Sequence, residues 1–145
     1  MVRAKDPAAS KNMSIIEKVK SLNLPLGQYV VVASGSMEAV GIRKAGDADI
    51  AVTQGLLLQM RTTGEWEEIV KYDKVFLKRE GFDIIPELNW DKYSTTVEEA
   101  ISSAMIIGGV AFMNLDELCK FKRALGREKD FADIVLVEEY LKGQS

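Results

Sequence analysis

Two aspartates, Asp47 and Asp49, open an apolar run that continues Ile50-Ala51-Val52. Separated from Asp47 by ten residues, a Gly35-Ser36 pair follows another apolar run, Tyr29-Val30-Val31-Val32-Ala33. Such runs read as strands, and residues i and i+2 of a strand point to the same side. Asp47 and Asp49 are therefore expected on one face, with Ala48 and Ile50 on the other. Two carboxylates a few ångströms apart repel each other unless a cation lies between them, and hard oxygen donors suit Mg²⁺. A small turn beside a divalent ion can present backbone N–H groups to phosphate oxygens. The chemistry these residue types permit is metal-assisted transfer of a nucleotidyl group.

The rest of the composition narrows the alternatives. Histidine is absent and Cys119 is the one cysteine, so a histidine base, a Ser-His-Asp triad, a disulfide framework and a Cys-rich zinc site are all excluded. Any metal must be held by oxygens. A net charge of −3 argues against broad, charge-driven binding to nucleic acid. No stretch approaches the ~20 apolar residues needed to span a bilayer. Met1–Asn12 is polar, lacks the hydrophobic centre of a secretory signal, and reads as a flexible leader. Residues 13–145 read as one domain of a cytoplasmic protein, with no internal repeat, low-complexity tract or linker.

The elements that must position the carboxylates follow from periodicity and punctuation. Ser14 caps an amphipathic helix carrying Ile15, Ile16, Val19 and Leu22. A strand over 28–33 leads to the Gly-Ser turn, then a short helix over 37–42, a loop at Lys44-Ala45-Gly46 and a strand over 47–52. Thr53 caps a helix to about Met60. Strands are expected over 66–72, 74–78 and 81–88, with turns at Asp73 and Glu80-Gly81. Thr96 and Glu99 are spaced as a capping box for a helix over 96–105. Gly108-Gly109 suggests a hairpin over 106–112. Asn114 caps a helix over 115–125 that Gly126 ends, and a last helix covers about 129–141. Helices around centrally clustered strands make an α+β domain.

The segment from Gly35 to Ile50 resembles the nucleotidyltransferase superfamily, whose fold is that of the DNA polymerase β catalytic domain. That pattern is an apolar residue, Gly, Gly or Ser, a short spacer, then Asp-apolar-Asp/Glu-apolar. Ser34 stands where the pattern has an apolar residue. The run Gly126-Arg127-Glu128-Lys129-Asp130-Phe131-Ala132-Asp133-Ile134 also resembles the tail of small bacterial nucleotidyltransferase-like proteins, with Phe131 in place of leucine. The resemblance implies a single nucleotidyltransferase-like domain, a central mixed sheet packed by helices, and a C-terminal helical pair.

It further implies a third carboxylate flanked by apolar residues on a later strand. Asp83 in Phe82-Asp83-Ile84 fits; Glu87 is the fallback and Asp73 a weaker choice. Asp47, Asp49 and Asp83 are then the catalytic and metal-binding residues for two Mg²⁺ ions, with Asp83 also able to take a proton. Gly35, Ser36, Arg43 and Lys44 are the nucleotide-binding candidates, Arg43 because its planar fork suits phosphate oxygens. Lys122, Arg127 and Lys129 read as helix-end charges, Arg127 and Lys129 alternatively as partners of Asp130 or Asp133 that lock two helices together. Trp66 and Trp90 read as packing, and Cys119 as buried and inert. The implied reaction moves a nucleoside monophosphate, AMP, from a nucleoside triphosphate such as ATP to a hydroxyl of a small molecule or a protein. A homodimer or partner protein would complete the acceptor cleft. The alternatives are an antitoxin-type partner of a helical toxin, and a domain that binds nucleotide without turnover.

Overall fold

The computed structural model describes residues 13–90 and 93–144; the leader expected at Met1–Asn12 lies outside them. Among the described residues the elements run α1 (Ile15–Lys20), β1 (Tyr29–Val32), α2 (Ser34–Ala39), β2 (Ala48–Val52), α3 (Gln54–Thr62), β3 (Glu67–Lys71), β4 (Lys74–Arg79), β5 (Phe82–Ile85), α4 (Val97–Ser102), β6 (Met105–Ile107), β7 (Val110–Phe112), α5 (Leu115–Leu125) and α6 (Glu128–Gln144). The strands form one seven-stranded sheet, ordered β3-β4-β5-β2-β1-β7-β6. β1 pairs with β2 antiparallel and with β7 parallel, β2 pairs with β5 parallel, and both flanks are antiparallel hairpins. The domain is α+β with a mixed sheet and a C-terminal helical pair.

Alternation along the central strands builds two cores. Val31, Ile50 and Val52 point to the face covered by Ile15 and Val19 of α1 and by Leu56, Leu57 and Met60 of α3. Val30, Val32 and Ala51 point to the other face, under Val97 and Ala100 of α4, Leu118 of α5, and Ile134 and Val137 of α6. All four residues of β1 are buried, which is why this strand reads as an unbroken apolar run. α5 begins at its Asn114 cap, whose side chain accepts from the Glu117 N–H, and ends at Gly126 in the left-handed conformation. A hydroxyl-to-backbone cap and a returning Glu17 carboxylate complete a capping box at Ser14.

Three boundaries differ from expectation. The helix expected over 37–42 starts three residues earlier, so Gly35 and Ser36 lie in its first turn. The chain turns instead at Ala33, whose φ of 57° is unusual for a residue with a side chain. The helix expected to reach Met105 ends at Ser102, and Met105 enters the β6–β7 hairpin opposite Phe112. Its Gly108 and Gly109 supply the two positive φ angles of a tight turn. β5 stops at Ile85, because Pro86 has no N–H to continue the ladder.

Candidate active site

Strand register brings the carboxylates together. β2 and β5 run parallel with Asp49 beside Asp83, so both side chains leave the sheet on one face. Asp49 alternates with Ile50 and shares the side of Ala51, the side of the α5–α6 pair. Asp47 precedes β2 by one residue. Its Oδ2 lies 3.8 Å from Lys78 Nζ, and the same ammonium donates to Asp83 Oδ1 at 3.0 Å. Lys78 stands directly across the β4–β5 ladder from Asp83.

Electrostatics mark Asp49 as the strained member. Burial pushes its carboxyl up to about 6, and repulsion from Asp83 and then Asp47 adds to the shift; Lys122 and Lys78 pull the other way. At Asp49, burial and like charge thus outweigh the pull of the two lysines. Among the described residues no three acidic side chains already converge as a finished metal cage. The donor set is chemically suited to a hard divalent ion: carboxylate oxygens only, Asp49 and Asp83 on a shared face, with the Lys78 ammonium between Asp83 and Asp47. Asp47, Asp49 and Asp83 are the residues that could supply such oxygens.

The remaining candidates have other surroundings. A Cβ on Gly35 would sit 2.5 Å from Val31 Cγ1, so glycine is needed there for α2 to fold back on the strand it leaves. Ser36 is fully buried, and its hydroxyl donates to the Val31 carbonyl at 3.2 Å. Arg43 spends its fork on Asp133, at 2.9 and 2.8 Å. Lys44 is exposed beside Asp47; both line a recess of about 350 Å³ with Lys18, Glu38 and Glu80. Glu87 follows the end of β5 and pairs with Lys74 at 3.2 Å, away from the three aspartates. Asp73 sits with Tyr72 in the β3–β4 turn, both at positive φ.

A charged network stands next to Asp49; its Arg127–Asp130 pair was legible in the sequence, the links of Lys122 and Arg43 to Asp133 were not. Lys122 of α5 is buried, with its ammonium 2.9 Å from Asp133 and 3.6 Å from Asp130 of α6. Arg127 chelates Asp130 at 2.6 and 3.1 Å, and Arg43 chelates Asp133. These partners hold both carboxyls below the ordinary range despite their burial. Lys122 and Arg127 both lie in the field of Asp49. The Gly-Arg-x-Lys-Asp tail thus fastens the helical pair and also sets the potential behind the site. The signal available was the i, i+3 spacing of Asp130 and Asp133 on one helix face.

A larger recess, about 1070 Å³, lies between α4 and α5 and contains none of the three aspartates. Its best-placed polar groups are already paired, Tyr93 donating to Glu117 at 2.9 Å. Cys119 is buried, and burial raises its thiol pKa, as expected of an inert cysteine. Among the described residues no helix is long and apolar enough to cross a membrane.

No protein-family model matches the chain, and no curated protein matches it. Among solved structures, one described as the crystal structure of an antigenic nucleotidyltransferase-like protein from Paracoccidioides brasiliensis is similar, at 15% identity and a TM-score of 0.45, over 85% of this chain and 71% of that one. A likeness this distant adds no weight to a functional reading, which stands on the site itself.

Proposed function

We propose that this chain is a metal-dependent nucleotidyltransferase that moves a nucleoside monophosphate, AMP, from ATP to a hydroxyl acceptor. The observation that carries the reading is the register of β2 and β5, which sets Asp49 beside Asp83 on one face with Asp47 in their field. Two Mg²⁺ ions held by Asp47, Asp49 and Asp83 would neutralise the triphosphate and acidify the acceptor hydroxyl. Asp83, more exposed than Asp49, takes the hydroxyl proton; with no histidine in the chain, a carboxylate is the available base. Lys44, exposed in the recess beside Asp47, is the cation available to the triphosphate tail. The protein works in the cytoplasm.

Titration calorimetry with ATP tests this. Wild type is expected to give a saturable heat that requires Mg²⁺, and Asp83→Asn to lose it. A heat indifferent to both metal and substitution would remove the reading. One observation favours a second reading, a domain that binds nucleotide without turnover: among the described residues no three acidic side chains converge as a metal site. Metal-dependent heat without release of pyrophosphate from ATP would select it.

A further inference from the structure

Lys78 plays no part in the reaction outlined above, yet it is the cation most intimate with the cluster. It lies opposite Asp83 in the β4–β5 ladder. Residues opposite one another on paired strands project to the same side, so its ammonium rises on the face of Asp83 and Asp49. It reaches Asp83 at 3.0 Å and Asp47 at 3.8 Å, bridging the acid on β5 and the acid before β2. Asp49, between them, feels its charge as well. Four residues back on the same strand face, Lys74 is engaged by Glu87 instead. The Lys78 side chain is 43% exposed, so no packing requirement holds it over the acids. Attraction to the Asp83 and Asp47 carboxylates does.

An ammonium in this position satisfies the same oxygens that a divalent ion would need. The ammonium and an ion compete for them: the Asp83 oxygen that accepts from Lys78 is withdrawn from coordination, and the two positive charges repel. We propose that Lys78 is a resident counter-cation of the acidic cluster, displaced when a divalent ion binds, so that metal affinity is set by competition with the chain's own side chain. The proposal rests on the metal-dependent reading above and assigns a metal-tuning role to a residue outside the carboxylate set. The lysine keeps the acids gathered when no ion is present and holds affinity below what three carboxylates would otherwise reach. Loading then requires an ion concentration, or an ion delivered with a polyphosphate, high enough to evict it.

The test is Mn²⁺ binding by the full chain, followed through the paramagnetic resonance signal of the free ion, with no nucleotide present. Lys78→Met keeps the length of the stem and removes the charge; Lys78→Ala removes both. Each is expected to bind Mn²⁺ about tenfold more tightly than wild type, the size expected from removing one competing charge at this range. Adding Asp49→Asn should abolish the gain. If wild type binds Mn²⁺ through Asp49 but neither lysine variant binds it more tightly, Lys78 is a bystander and the metal site stands without it. If neither wild type nor the lysine variants bind Mn²⁺ at millimolar concentration, the metal-dependent reading falls and this inference with it.

Discussion

Asp133→Asn is expected to lower the free energy of unfolding by about 3 kcal/mol, among the largest effects a single side-chain change should have in this chain. The carboxylate accepts two bonds from Arg43 and one from Lys122, joining the loop after α2 to both C-terminal helices. Neutralising it leaves the Lys122 ammonium, buried on α5, with only the longer contact to Asp130. An ammonium taken out of water and then deprived of its near partner costs far more than the pair contributes when intact. Chemical denaturation at pH 7 measures the loss. Adding Lys122→Met to Asp133→Leu should recover more than half of it, because the uncompensated charge is then gone. The sign with pH also follows. Asp130 and Asp133 have carboxyls held below the unfolded value, so their contribution is complete above about pH 4 and is lost as pH falls through the folded values.

Asp49→Asn should do the opposite: the metal-free protein becomes more stable at pH 7 by about 1–2 kcal/mol, while metal-dependent nucleotide binding disappears. The Asp49 carboxyl is pushed up to about 6 by burial and by its acidic neighbours, against an unfolded value of 3.8. Between those values the folded chain binds more protons than the unfolded chain, so rising pH works against folding. The gap in stability between wild type and variant should therefore be small below pH 4, widen as pH rises to about 6, and stay constant above it. Urea unfolding in the presence of a chelator at pH 3.5, 5 and 7 gives the three points. A substitution that stabilises the fold while destroying binding is the behaviour of a site whose charge is kept for chemistry rather than for folding. Equal stability of the two proteins at pH 7 would mean that the cluster carries no electrostatic strain.

The parts of this fold that local rules control were open to reading. Asn114 and Gly126 bracket α5 because a cap and a left-handed stop are properties of a few adjacent residues. Period-two alternation placed Asp49 on the face opposite Ile50, and apolar flanks singled out Asp83, whose register beside Asp49 then follows from the sheet. What depends on long-range pairing was hidden. Arg43, in a loop beside the acidic pair, reads as a phosphate clamp until its partner, Asp133, is seen arriving from 90 residues away. Lys78 was given no role from the sequence, since only the β4–β5 register brings it to Asp83. Gly35 and Ser36 were read outward, toward a ligand. The structure turns them inward, because the chain reverses at Ala33 and lays α2 against Val31.

The identity of the cluster as a metal site is decided most directly by anomalous diffraction from a crystal soaked with Mn²⁺ and a non-hydrolysable ATP analogue. The expected result is a peak within bonding distance of the Asp49 and Asp83 carboxylates, with the triphosphate reaching toward Lys44 and Lys78 drawn away from Asp83. A saturated crystal in which Lys78 still bridges Asp83 and Asp47, and manganese sits elsewhere or nowhere, would contradict it.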